Sequence, residues 1–252
     1  IPEELTAGAY ITTDMANNQI TGFNPGAMKY SSDLDIAGLD PEKALLLVSP
    51  GNLDDMVIYP RLCKKAGIEY VFDPGQALPM LQAKDLIEVI NGCSILIVND
   101  YEFNLIQDKT GLANGELLSL AKTTIVTLGG AGSRIHSQSE TLAIPAFKAR
   151  QVVDPTGAGD AYRGGLLSGL VHGYDLQTSA LRGSACASFA VECNGTQVYS
   201  FNLQELDERM QTMVQDLSQV ERMTSRTRSA ASASTRSPTR WPIRGSRAAL
   251  RA

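Results

Sequence analysis

The segment Asp154-Pro155-Thr156-Gly157-Ala158-Gly159-Asp160-Ala161-Tyr162-Arg163-Gly164-Gly165-Leu166-Leu167 holds the residues best placed to do chemistry. A turn of small residues, Gly157-Ala158-Gly159, enters a helix whose first turn contains Asp160. Such an entry leaves backbone N–H groups unpaired and pointing outward with the positive end of the helix dipole. That arrangement suits an oxyanion or a phosphoryl group. A carboxylate beside an anion hole would cancel its charge, unless it takes a proton from the group attacking that anion. The combination then fits phosphoryl transfer to an alcohol. A local account does equally well: Asp near a helix start is favoured by ~0.3–1 kcal/mol, and small residues often mark close helix packing. No GxxxxGK[ST] segment occurs, which excludes an ordinary P-loop.

The elements that must position this segment are legible in the apolar pattern. Residues 7–14 and 19–23 alternate in the β sense around Asn17-Asn18, which predicts a hairpin. Short apolar strands then alternate with helices. Strands are predicted over 44–48, 68–72, 94–98 and 125–128, and helices over 54–66, with Gly67 as its stop, 79–90 and 101–106. Helices over 157–171, 176–191 and 203–217 follow. This alternation predicts parallel βαβ units in a layered α/β sheet. After about Val220 the hydrophobic period stops, and residues 223–252 are rich in Ser, Thr, Ala, Arg and Pro.

Composition narrows the function classes. The 252 residues are 43% hydrophobic and 19% charged, and four cysteines show no CxxC pair. Neither a disulfide framework nor a zinc ribbon is expected, and two histidines leave little for an imidazole metal site. Apolar runs fall far short of the ~20 residues of a membrane span, so a reduced, cytoplasmic protein with no membrane partner is expected. The net charge of −5 conceals eight arginines after residue 221, with 14 basic and 27 acidic residues before them. The acidic body argues against nucleic acid as a partner. The Arg-rich tail is read as disordered or foreign to the body, with a nucleic-acid arm as the weaker alternative.

The 154–167 segment resembles, along its whole length, the second signature of the ribokinase-like (phosphofructokinase B) family of carbohydrate and nucleoside kinases. The resemblance implies a three-layer α/β/α sheet with a small β-hairpin lid, and an ATP-dependent phosphotransferase. It implies Asp160 as the general base and the amides of Gly157, Ala158 and Gly159 as the anion hole for the γ-phosphoryl group. Arg163, one turn past the base, would face the phosphates or the acceptor; a solvated helix residue is the plain alternative. Asn99-Asp100-Tyr101-Glu102 looks like the family's NxxE motif, which places Mg²⁺ and its waters, with Asn99 and Glu102 as holders. By spacing alone, helix capping explains that pair better. Thr127-Leu128-Gly129-Gly130-Ala131-Gly132 resembles the family's nucleotide-binding turn, with Thr127, Gly129 and Gly132 beside ATP. Asn194-Gly195 corresponds to the loop beside the adenine, although a helix C-cap explains it equally well.

Residues 12–28, including Asn18 as a sugar contact, resemble the lid of bacterial adenosine-kinase-like members, so adenosine leads the expected acceptors over other nucleosides and sugars. Such hairpins also make dimer contacts, which puts a homodimer through the lid among the expectations. Whether a monovalent cation assists is left open by the residues. Residues 1–28 are thus read as the lid region, 29–221 as the kinase core and 222–252 as the tail. The family's opening βα segment has no counterpart here, so apolar surface near 44–48 or 94–98 is expected to lie uncovered. A truncated, non-catalytic nucleotide-binding or dimerising relative is the alternative reading.

Overall fold

The computed structural model describes residues 1–13, 19–138 and 140–212. They fall in two compact units, Ile1–Ser200 and one that begins at Phe201. The second is described here as a helix over residues 203–212. The Asn17-Asn18 turn and the segment from residue 213 onward, including the Arg-rich tail, lie outside the described residues.

The first unit opens with a separate antiparallel ribbon, β1 (Gly8–Thr13) and β2 (Gln19–Asn24). Its base is tied by Ala27 N–H to the Leu5 carbonyl, 2.8 Å, and by an ion pair of Glu4 with Lys29, 2.7 Å. Gly26, at φ +46°, is required at this crossing because a β-carbon would overlap the Leu5 carbonyl.

Six strands form the main sheet in chain order: β3 (Leu45–Val48), β4 (Glu69–Phe72), β5 (Ile95–Asn99), β6 (Thr123–Thr127), β7 (Ser133–Ser137) and β8 (Thr141–Ile144). β3 to β6 are parallel, while β7 and β8 continue the sheet antiparallel. The crossovers carry α1 (Leu53–Ala66), α2 (Ala83–Ile90), α3 (Asp100–Thr110) and α4 (Asn114–Leu120). Because right-handed crossovers step one way across the sheet, these helices share a face. The opposite face is covered by α5 (Ala158–Val171) and α6 (Leu176–Ala190).

Strand alternation sorts the core into two layers. Tyr70, Phe72, Leu96, Val98 and Val126 pack with Met56, Cys63, Leu86, Ile90, Phe103, Ile106 and Leu117 of α1 to α4. Val71, Ile95, Ile97, Ile125, Ile135 and Ile144 pack with Tyr162, Leu166 and Ala180 of α5 and α6. The expected three-layer α/β/α architecture is therefore present.

The differences from expectation are local. The helix expected over 79–90 is two pieces, a 3₁₀ turn Gly75–Met80 and α2, because Pro79 lacks an N–H and Leu81 turns extended. The sheet is mixed rather than wholly parallel: β7, SRIHS, is largely polar, and β8, TLAI, and α4, NGELLSL, are too short to show a period. Residues 94–98, expected to lie uncovered, are central, and Ile95 to Val98 are buried. Only at the β3 edge are Leu45, Leu46 and Leu47 half-buried.

Candidate active site

The carboxyl ends of β4, β5 and β6 and the entry of α5 supply the site, as open α/β sheets place their ligands. After β6, Leu128 N–H closes onto the Gly132 carbonyl at 2.8 Å around the short turn Gly129–Ala131. Gly132, at φ +90°, must be glycine because a β-carbon would overlap the Ile144 carbonyl. Nothing lies within 4 Å of a β-carbon built at Gly129 or Gly130, so this turn offers open backbone. Thr127 pairs in register with Asn99, bringing the expected nucleotide turn beside the NxxE segment.

At Asn99 the local account is realised. Its Oδ1 accepts from Glu102 N–H at 2.7 Å and Glu102 Oε2 accepts from Asn99 N–H at 2.8 Å, a complete capping box for α3. This occupies one oxygen of each side chain. Among the described residues no three His, Cys, Asp or Glu side chains converge closely enough to hold a metal directly. A Mg²⁺ here would be held through its waters. Glu102 and Asp160 both act on the Asp73 carboxyl, so three acids gather around the Arg163 guanidinium, and that balance suits a divalent cation.

Asp160 lies in the first turn of α5, as expected. Gly157 caps the helix at φ +84°, and a β-carbon there would stand 3.2 Å from the Thr196 backbone. The expected three-amide cradle is smaller than expected. Ala158 N–H donates to the Pro155 carbonyl at 3.2 Å, while among the described residues the N–H groups of Gly157 and Gly159 meet no acceptor. Asp154 braces this turn: its Oδ1 accepts from Thr156 N–H at 2.9 Å and its Oδ2 from Gly195 N–H at 3.2 Å. Hydrogen bonding from the Thr156 side chain, and then from the Thr156 and Gly195 N–H groups, holds the Asp154 carboxyl below the usual range. These bonds also bring Asn194, exposed, beside the α5 entry, so the Asn194-Gly195 pair braces a loop rather than capping α6, which ends at Ala190. Tyr162, two residues past Asp160, shares a 2.9 Å hydrogen bond with Ser133 and joins α5 to the strand after the glycine turn.

Arg163 is not a solvated helix residue: its side chain is 17% exposed and two of its nitrogens are engaged by carboxylates. Its Nε lies 2.5 Å from Asp73 Oδ2 as an ion pair, without the alignment of a hydrogen bond, and its Nη1 donates to Asp160 Oδ1 at 3.1 Å. Asp73 follows β4 and was not among the sequence candidates. Its side chain is 2% exposed, and its Oδ1 meets no partner. Loss of hydration pushes its carboxyl up to about 6 against the pull of Arg163, with Glu102 and Asp160 pushing the same way as burial. An acid ending a buried strand just before Pro74-Gly75 was the signal that could have found it. Asn18 lies outside the described residues. At the hairpin base a cavity of about 590 Å³ is lined by Met28, Tyr30, Leu46, Val48, Asp55 and Met56.

With this geometry in hand, the profile of the pfkB family carbohydrate kinase matches residues 1–202. The chain belongs to the pfkB carbohydrate kinase family. Among curated pfkB relatives, a nucleoside kinase of Methanocaldococcus jannaschii is 40% identical over 197 residues, which are 77% of this chain and 64% of the relative. The chain thus spans less than two thirds of that relative's length. The structure of Burkholderia thailandensis nucleoside kinase in complex with inosine matches at TM-score 0.79 and 39% identity, covering 84% of this chain and 69% of that one. The same kinase in complex with ADP-inosine matches at TM-score 0.77 and 40% identity, covering 83% and 66%. No helix among the described residues is long and apolar enough to cross a membrane.

Proposed function

We propose that this chain carries the phosphoryl-transfer machinery of an ATP-dependent nucleoside kinase, with a purine nucleoside as acceptor. The observation that carries the reading is the α5 entry. Among the described residues, an exposed carboxylate with one oxygen unengaged stands there beside N–H groups without acceptors. Its likeness to nucleoside kinases, one of them in complex with inosine, supports the substrate class.

In this reading Asp160 takes the proton of the ribose 5′-hydroxyl through its free oxygen. The hydroxyl oxygen bonds to the γ-phosphorus of ATP as the bond to the β,γ-bridging oxygen breaks, and ADP leaves. The Gly157 and Gly159 amides and the positive end of α5 hold the charge on the transferring group. Thr127, Gly129, Gly132 and Asn194 border the nucleotide. Mg²⁺, held through water by Glu102 and Asn99, would neutralise phosphate charge when bound. Catalysis of this kind is mainly positioning.

The test is ADP release over a panel of adenosine, inosine, ribose and fructose 6-phosphate. Adenosine and inosine should lead. Faster turnover of the phosphorylated hexose would reject the acceptor class and leave the kinase standing. Asp160→Asn should lower turnover by at least ~10²-fold while nucleotide binding changes little, since losing a general base costs about 10²–10⁴. A variant keeping more than a tenth of wild-type turnover would defeat the role given to Asp160.

A further inference from the structure

We propose that Asp73 is a positioning residue for phosphoryl transfer, anchoring Arg163 so that Arg163 fixes one oxygen of Asp160 and leaves the other for the acceptor. This inference rests on the reading of Asp160 as the base. The Asp160 side chain is 83% exposed, and among the described residues Arg163 is the one group that holds it. An exposed carboxylate on a helix surface turns freely about its side-chain torsions. An ordinary ion pair three residues along such a surface is weak, because ordering two long side chains offsets most of the attraction. Here the cationic partner is already ordered. Its side chain is 17% exposed, and its Nε is fixed on a carboxylate that is itself 2% exposed and placed by the end of β4.

The guanidinium suits this task because it is planar, with donors in a rigid fork. With Nε on Asp73 and Nη1 on Asp160, the positions of two carboxylates from distant parts of the chain become mutually dependent. The backbone fixes Asp73 in turn: its N–H donates to the Val48 carbonyl at 2.8 Å, extending the ladder between β3 and β4. Gly75, at φ +42°, presses the turn against Pro50, where a β-carbon would stand 2.6 Å from the proline ring. The sheet edge therefore reaches the Asp160 carboxylate through two side chains, at the oxygen opposite the reacting one. A purely structural ion pair would not need Asp160 in the chain, nor a buried carboxylate whose second oxygen has no partner.

Three variants test this: Asp73→Asn, Arg163→Met, and the two together. Each is assayed for kcat and KM in nucleoside-dependent ADP release, for affinity toward ADP, and for thermal unfolding. Each single variant should lower kcat about 10- to 100-fold, with ADP affinity and KM for ATP within threefold of wild type. The neutral double variant removes the buried charge left by either single change, so it should recover folding stability. It should stay as slow as the singles, because the anchor is still missing. Recovery of more than a third of wild-type kcat in the double variant, or its retention in Asp73→Asn, would show a structural pair only and overturn the inference. If Asp73→Asn does not fold, Arg163→Met and the double variant decide by the same criteria. A wild-type chain without any nucleoside-dependent ADP release would defeat the reading of Asp160 and this inference together.

Discussion

At the scale of single residues, the site trades stability for a fixed charge. Asp73 titrates near 6, against an ordinary carboxylate value of 3.8, because burial strips its hydration faster than Arg163 compensates. Between about pH 4 and pH 6 the unfolded chain has lost this proton while the folded chain keeps it. Stability from this group therefore falls as pH rises through that window and is greatest below it. At ~1.4 kcal/mol per pH unit the loss is at most about 3 kcal/mol. Asp73→Asn removes the titration, so its stability relative to wild type should improve by about 2 kcal/mol between pH 4.5 and pH 7.5. Urea unfolding of both proteins at the two pH values measures this; an unchanged gap would mean that Asp73 ionises at an ordinary pH. The place of Asp160 in the first turn of a helix was legible because small residues followed by an acid mark a helix start locally, while the role proposed for it came from the family resemblance. Asp73 was not, since its meaning comes from a partner 90 positions away that only the folded sheet brings near. Asn99 and Glu102 were legible as a helix cap from their spacing, whereas the ion-holding role proposed for them rests on the family resemblance.

Secondary-structure elements show how the α5 entry is held still. α5 and α6 approach closely through glycines: a β-carbon at Gly165 would stand 2.7 Å from the Arg182 carbonyl and 2.8 Å from Gly183 Cα. Those neighbours are backbone and cannot give way, so Gly165→Ala should force the helices apart and cost about 1–3 kcal/mol. Gly164, one residue earlier, is exposed and meets nothing within 4 Å. Gly164→Ala should therefore stabilise by up to about 1 kcal/mol through helix propensity. Thermal unfolding of the two variants should move in opposite directions. A shift of the same sign in both would show that α5 and α6 pack less closely than described. From the residues alone the two glycines are equivalent, and only the facing helix separates them. β3, β4 and β5 were legible because their runs are nearly all apolar, while in β6, TTIVT, the signal was the Ile125-Val126 pair. β7 and β8 were missed because their sequences, SRIHS and TLAI, mix polar and apolar residues and follow no long helix.

For the whole molecule, the hairpin is the part that the three-layer core does not explain. A lone two-stranded ribbon is at best marginally stable in water. The register places Tyr10 opposite Gly22 and Thr12 opposite Ile20, so Tyr10 and Ile20 share one face. These side chains are 72% and 78% exposed, whereas Ile11 and Phe23, on the other face, are 47% and 46% exposed. Among the described residues, the Tyr10–Ile20 face is thus the more open of the two. Burying large apolar side chains is worth about 1.5–3 kcal/mol each, so covering this face is the gain a second ribbon can supply. A second copy offers the same face by two-fold symmetry, which closes the assembly at a dimer. The chain should therefore sediment as a dimer at tens of micromolar, and Tyr10→Ser combined with Ile20→Ser should shift it to monomer. Both side chains lie outside the core, so the unfolding temperature extrapolated to low protein concentration should change little. Sedimentation equilibrium over a concentration series decides the matter: a wild-type chain that stays monomeric, or a double variant that dimerises as tightly as wild type, would remove the hairpin from the assembly.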